Sequence, residues 1–529
     1  MHNHWEQTPP RHFRKSSALI AVPILLWLLC AQLVIGATYN SNGSNSDVQS
    51  KINSASDGDT VTIPSGTFTW TSGVTIGIGV KLQGQGSGRV IGRSASSITV
   101  GNGTKTFVTQ SSLAITTGET LKIERTGTTV SGGVGTGTRA WMQGTVTSYS
   151  GTTLVMNVTS TSGSGTHPLW IISTLPTTTV THGAAASTLI TLTEDTSDSE
   201  EVSGIFFQNG SGTGDFIGMV RGNTTAKPIL IHDCYFQSSS ATGDCIQANT
   251  NRGVIWNCSF SALPFSMAQL AIHHVDCPTD SWTTLANWGA ADNDGTHELF
   301  VEDSDFHAWL NATDFDSNAR TVMRHCLFNL AGIGTHGADT GDYGQRYFEV
   351  YDSEFAYNGF SNGQTLPNNQ WFFVRGGTFI VTDCVIPEMT STDYPNKPTW
   401  NITVMNLQRK AGPNPCWGAG ISGIQYPCPR QAGMGRVTGK AGNDSVTYIG
   451  DSEPIYFWNN TGTGAHKISF SDYGGTDCSN TDSTTSYVVT GRDYFDNTSK
   501  PGYTKYVYPH PLRGGGDAPS PPQDVRVVQ

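Results

Sequence analysis

From Val202 to about Met405, apolar and polar residues alternate in short runs, and each run closes on the same mark. The mark is Asp, Asn or His, then Cys or Ser, then any residue, then an apolar residue that is mostly Phe. It reads Ile229-Leu230-Ile231-His232-Asp233-Cys234-Tyr235-Phe236, then Val254-Ile255-Trp256-Asn257-Cys258-Ser259-Phe260. Further copies run from Leu299 to Phe306, Thr321 to Phe328, Phe348 to Phe355 and Phe379 to Ile386. The closing apolar positions step by 24, 46, 22, 27 and 31 residues. Period-2 alternation signals strands, and an irregular repeat of this length signals stacked coils. The pattern predicts an all-β chain wound as a right-handed, single-stranded parallel β-helix. The step of 46 is either two coils or one coil with a long loop.

Alternation also sorts the faces. Ile229 and Ile231, Leu299 and Val301, Phe348 and Val350, and Phe379 and Val381 point inward. One outward column holds His232, Trp256, Glu302, Arg324, Tyr351 and Thr382; another holds Arg252, Glu298, Arg320, Tyr347 and Thr378. Such a face is either a glycan groove or a solvated sheet with charge ladders.

The flanks differ in texture. Val48, Ile52 and Ala55 are at helical spacing, and Val61, Ile63 and Phe68 alternate around Pro64 and Gly66, so residues 38–98 read as a capping helix and the first coils. A cap is needed because the open end of a solenoid would expose apolar core. Residues 99–175 are rich in Thr, Gly and Ser and break into hairpin-like runs, an inserted antiparallel β module. The solenoid continues over 176–440. Residues 441–512 supply the last coils and a Pro- and aromatic-rich C-terminal closure, and 513–529 form a disordered tail.

Charged residues are only 14% of the chain and Gly numbers 61, which suits strands and tight turns. A net charge of −12 argues against a nucleic-acid partner. Arg11, Arg14 and Lys15 precede an apolar run from Ala18 to Leu29 and the small residues Gly36-Ala37. Residues 1–37 therefore read as a signal peptide, which implies a secreted or cell-surface protein with no stable membrane insertion after cleavage; an uncleaved anchor is the alternative. Of ten cysteines, Cys416 and Cys428 bracket a Gly- and Pro-rich loop as a disulfide pair, while Cys234, Cys258, Cys326 and Cys384 occupy one slot of the repeat as buried thiols.

The helix followed by Asp57-Gly58-Asp59-Thr60-Val61-Thr62-Ile63-Pro64-Ser65-Gly66-Thr67-Phe68 resembles the N-terminal cap and first coil of the pectate-lyase superfamily. With Arg375-Gly376-Gly377-Thr378, Arg492-Asp493-Tyr494 and Tyr508-Pro509-His510-Pro511, the chain is similar to secreted, uncharacterised bacterial members of that group. The insert resembles a module of phage tail proteins. These resemblances imply the β-helix fold and a polysaccharide partner.

The densest chemistry lies between Arg320 and Tyr351. β-Elimination on a uronate needs a cation at the carboxylate and a base near C5. Arg320, Arg324 and Arg346 could supply the cation, and His336, oriented by Asp339, the base, with Tyr351 a second acid or base. His336 as a backbone-bonded turn residue is the other reading. Trp256, His232, Glu302, Glu349, Tyr347 and Arg375 would line a substrate groove. The chain lacks a clear Arg-x-Pro-x-x-Arg segment, which puts calcium-dependent pectate cleavage in doubt. Asp292, Asp294 and Glu298 are oxygen ligands for Ca2+ if their loop is more than a plain turn. A glycoside hydrolase, with facing carboxylates such as Glu298 and Glu302 or Glu349 and Asp339, is the second enzymatic reading. A non-catalytic glycan-binding adhesin is the third.

Overall fold

The computed structural model describes residues 36–125, 140–168, 170–183, 187–193, 195, 197–220, 225–238, 243–266, 270–275, 277, 286, 288–289, 292–316, 318–335, 345–356, 371–386, 402–405, 432–435, 452–462, 468–471 and 488–514. Among these residues no helix is long and apolar enough to cross a membrane. The chain is a right-handed parallel β-helix. Its first sheet has twelve strands in chain order, including Lys81–Gln83, Glu201–Ser203, Ile229–His232, Gly253–Trp256, Leu299–Glu302, Arg320–Arg324, Tyr347–Tyr351, Thr378–Thr382, Ile455–Trp458 and Tyr494–Asp496. A second column contains Ile205–Asn209, Tyr235–Ser238 and Ser259–Ser266, and a third contains Ile217–Met219, Ile246–Ala248 and Ile272–His274. The long strands Asp305–Phe315 and Leu327–Thr335 pair with both columns.

The mark is the corner between the first and second sheets. Its polar residue adopts a left-handed backbone in every copy, with φ of 54° at Asp233, 51° at Asn257, 47° at Asp303, 54° at His325, 49° at Asp352 and 55° at Asp383. Asp, Asn and His tolerate that region better than other side chains. The next residue then turns inward. Ser304 Oγ accepts from Cys258 N at 3.2 Å, and Ser353 Oγ accepts from Cys326 N at 3.1 Å, which ties successive coils together. Cys234, Cys258, Cys326 and Cys384 are free thiols buried in this slot.

The closing apolar residues form one vertical stack. Ring centroids step from Phe207 to Phe236 by 5.0 Å, to Phe260 by 4.8 Å, to Phe306 by 5.0 Å, to Phe328 by 5.0 Å and to Phe355 by 4.6 Å. Because Phe260 and Phe306 are direct neighbours, the step of 46 residues is one coil with a long loop. The helix Asn45–Ile52, N-capped by Ser44, drops Val48 and Ile52 onto this core.

Between the first-sheet strand Lys81–Gln83 and the second-column strand Thr178–His182 the chain makes a six-stranded antiparallel sheet, from Val90–Ser94 to Trp170–Thr174, with its own core around Leu121, Ile123, Met142, Leu154 and Trp170. The opposite face of its strand Thr120–Arg125 carries Lys122 and Glu124, both buried against the solenoid's second sheet. Tyr235 Oη donates to Glu124 at 2.8 Å, Lys122 pairs with Glu124 at 3.0 Å, and Arg93 bonds Glu354 at 2.9 Å.

Candidate functional site

The outward columns of the first sheet have the expected register: His232, Trp256, Glu302, Arg324, Tyr351 and Thr382 are successive partners, and so are Arg320, Tyr347 and Thr378. Between those columns stands a third, Leu230, Val254, Phe300, Val322, Glu349 and Ile380. A mainly apolar column on an outer face calls for a cover, and the chain supplies one. The segment from Lys500 to Arg513 lies along the sheet as a strap, its Tyr506 and Leu512 packing on Leu230, Val254, Trp256, Phe300, Val322 and Tyr351. The Pro- and aromatic-rich sequence read as an end closure thus runs along the side of the solenoid.

Under the strap the polar residues are already paired. Arg324, fully buried, donates to Glu302 at 2.7 Å, to Tyr351 Oη at 2.9 Å, and to the strap carbonyls of Tyr506 at 2.9 Å and Val507 at 2.6 Å. Arg513 bonds the other Glu302 oxygen at 2.8 Å. Burial pushes the Glu302 carboxyl up, but the Arg324 and Arg513 guanidiniums outweigh it and hold the group below its ordinary range. Lys505 bridges Asp352 at 2.7 Å and Asp383 at 2.8 Å, and Tyr508 donates to Asp303 at 2.7 Å. Glu349 is the one carboxylate in the apolar column, accepting from Tyr503 Oη at 2.6 Å and Gly289 N at 3.1 Å, and burial pushes it up to about 7.

The remaining expected residues are placed as follows. Arg346 is buried in a bidentate pair with Glu453 at 2.6 and 2.9 Å. Arg320 lies over the Tyr347 ring at 5.4 Å, and Tyr347 Oη donates to Glu298, whose carboxyl is held well above its ordinary range by burial and by Asp292. Asp292 accepts three backbone amides, from Thr296 at 3.1 Å, His297 at 3.2 Å and Glu298 at 3.1 Å. The grouping with metal-ligand geometry among the described residues is Asp292, Asp294 and His297, with Glu298 turned to Tyr347 instead. His232 stacks on Trp256 at 4.1 Å and sits between Asp233 at 2.7 Å and Glu201 at 3.1 Å. Burial opposes its charge, but those two carboxylates prevail and raise it to about 9. Arg375 donates to Thr335 O at 2.7 Å and covers the Phe373 ring at 5.3 Å. His336, Asp339, Cys416 and Cys428 lie outside the described residues. The elimination machinery expected around Arg320, Arg324 and Arg346 therefore consists, where described, of guanidiniums engaged by buried neighbours.

With the strap on the first sheet and the insert on the second, the third column keeps partly exposed side chains. Its outward register runs Gly218, Gln247, His273, Asp314, Gly334, Phe373. Gln247, His273 and Phe373 are half-buried, and Arg375 flanks Phe373. His273 Nδ1 and Asp244 Oδ2 are 3.0 Å apart. Asp244 is fixed in turn by Leu270 N, which donates to it at 3.0 Å, and its own amide donates to Asp215 at 2.7 Å. Burial opposes the charge on His273, but Asp244, then Asp314 and Asp316, raise it above its ordinary value. The next residue, His274, points inward, bonds Thr321 and Thr250 at 2.8 Å each, and is driven by burial to about 3, a neutral core histidine. Sequence reasoning missed His273. The available signal was Gly214-Asp215-Phe216-Ile217 recurring as Gly243-Asp244-Cys245-Ile246, a second mark at the entry to the third column.

No protein-family model and no curated protein matches the chain. Among solved structures it is similar to the tailspike gp49 of Pseudomonas phage LKA1 (11% identity, 82% of this chain and 72% of that one, TM-score 0.19). It is also similar to the tailspike gp61 of Pseudomonas phage phi297 (11% identity, 81% and 65%, TM-score 0.20). A third is the Gp54 tailspike of Acinetobacter baumannii bacteriophage AP22, solved with a capsular saccharide (11% identity, 86% and 73%, TM-score 0.18).

Proposed function

We propose that this β-helix is an extracellular or cell-surface polysaccharide-binding protein that holds its glycan on the outer face of the third strand column. The observation that carries the reading is the division of the three outer faces. Strap residues occupy the first and the insert occupies the second, whereas Gln247, His273 and Phe373 form a partly accessible row with the buried Asp314 in register between His273 and Phe373. Rungs about 4.8 Å apart present an amide, an imidazole, a carboxylate and an aromatic ring in line. A sugar chain is read by such a mix, with hydroxyls on polar groups and a sugar face on the ring. Affinity electrophoresis of the purified chain through gels containing neutral, amino-sugar or uronate polymers tests this. Retardation by at least one polymer, weakened about tenfold or more by Phe373→Ala, is expected. Unretarded migration in every gel, or retardation unchanged by Phe373→Ala and by Gln247→Ala, would overturn it.

A further inference from the structure

We infer that His273, oriented by Asp244, is the proton donor of a glycoside-hydrolysing site whose substrate is a neutral or amino-sugar polymer; this rests on the polysaccharide-binding reading above. Three observations meet at this point. The imidazole is fixed through Nδ1 by a carboxylate 3.0 Å away, which leaves Nε2 as the nitrogen that can address a ligand. Asp244 is itself held by Leu270 N at 3.0 Å, so the pair is built into the turn and does not depend on a mobile side chain. One rung along, Asp314 is the lateral partner of His273 in the parallel register. A proton donor and a carboxylate on adjacent rungs are the two groups that acid–base cleavage of an acetal needs.

The step balances with water as the co-reactant. The Nε2–H of His273 passes its proton to the glycosidic oxygen as the C1–O bond breaks with its electron pair leaving on that oxygen. On adjacent rungs the two groups are too close for a water to stand between them, so the Asp314 carboxylate itself forms the new bond to C1. A water oxygen then displaces that carboxylate from C1 and gives its proton to the His273 imidazole, which restores both groups. Asp244 touches neither the sugar nor the water in this scheme and is a positioning residue.

The surroundings select the substrate. Asp215, Asp244, Asp314 and Asp316 lie around His273, with His182 beyond Asp215, so carboxylates outnumber imidazoles here. A uronate there would meet like charge, which disfavours the wrong partner, whereas neutral hexose units or a sugar ammonium would not. Arg375 belongs to the Phe373 end of the row, two rungs beyond Asp314. Sequence reading alone pointed to an acidic polymer, because the first-sheet arginines dominated it.

The test is release of new reducing ends from β-glucan, mannan and chitosan, beside alginate and polygalacturonate, by the full chain, with binding followed separately by affinity electrophoresis. Cleavage of a neutral or amino-sugar polymer is expected, with a rate that falls as pH rises through the His273 titration. His273→Gln should lose at least about a hundredfold in kcat with the thermal transition unchanged, while gel retardation, still supported by Gln247 and Phe373, falls by far less than kcat. Asp244→Asn should move the high-pH limb to lower pH, since the carboxylate that raises His273 is gone; a purely structural role would lower activity without moving the limb. Retardation with no reducing ends from any polymer would overturn the inference and leave the binding reading standing. Unsaturated products from a uronate, or His273→Gln cleaving as fast as the parent, would also overturn it. Absence of retardation by every polymer would remove the reading on which it rests.

Discussion

Glu349 is the weak point of the strap. Its outward neighbours in register, Val322 and Ile380, are apolar, and its carboxyl is fully buried beneath Tyr503. Burial raises it from 4.5 to about 7, although Tyr503, the Gly289 amide, Arg324 and Lys500 all favour the charged form. The folded state therefore holds this proton more firmly than the unfolded chain does. Stability from this group is complete below about pH 4.5, falls as pH rises from there to about 7, and is flat above. A shift of that size corresponds to about 3 kcal/mol at 1.36 kcal/mol per unit. Glu349→Gln keeps the shape and a hydrogen bond to Tyr503 while abolishing the titration. Urea unfolding of parent and variant, measured at intervals from pH 4.5 to 8.5, isolates Glu349 because every other group is common to both. The two should be nearly equal at pH 4.5, and the variant should gain about 3 kcal/mol on the parent by pH 8. A difference that stays constant across the range would refute the buried, proton-holding carboxyl, as would a parent gaining on the variant with rising pH.

Three further outcomes follow from other parts of the fold. Phe306→Ala removes the fourth of six rings in the interior stack and should cost about 3–5 kcal/mol in chemical denaturation, whereas Phe306→Leu should cost clearly less; equal losses would argue against ring stacking. Arg324→Met leaves the buried Glu302 with Arg513 as its guanidinium partner and should cost roughly 3–5 kcal/mol. Limited proteolysis should then cut between Lys500 and Arg513 before any other described segment, and an uncut strap would contradict its anchoring through Arg324. His232, raised to about 9 between Glu201 and Asp233, contributes stability that is present below about pH 6.5 and lost as pH climbs through about 9. NMR of its ring should still report imidazolium at pH 8, and a midpoint near 6.5 would contradict the paired geometry.

The solenoid was legible because its constraint is local and repeated. Each coil must turn a corner at a left-handed residue and bury one ring, so Asp233-Cys234-Tyr235-Phe236 and its copies advertise both the turn and the core. The faces followed from alternation, which placed Glu302, Arg324 and Tyr351 in one column correctly. What covers that column was not legible in the same way. Arg324 meets the carbonyl of Tyr506, 182 residues away, through no periodic feature at all. Yet the apolar column of Leu230, Val254, Phe300 and Val322 carried the hint, since four apolar side chains in a row do not face water without cost. The third column was hard to see for another reason. Its strands Ile217–Met219, Ile246–Ala248 and Ile272–His274 are three residues long, too short for alternation to register. His273 and His274 look alike in sequence and have opposite environments, and only the coil geometry separates the outward, carboxylate-paired imidazole from the neutral core residue.

Hydroxyl-radical footprinting with and without a retarded polysaccharide asks most directly which face meets the glycan. In the free protein Phe300, Tyr351 and Tyr506 should resist oxidation beneath the strap, while Phe373 and His273 react. Added glycan should protect Phe373 and His273 and leave the strap residues as they were. Protection concentrated on His232 or Tyr508, with Phe373 unaffected, would place the ligand on the first sheet and contradict the division of faces.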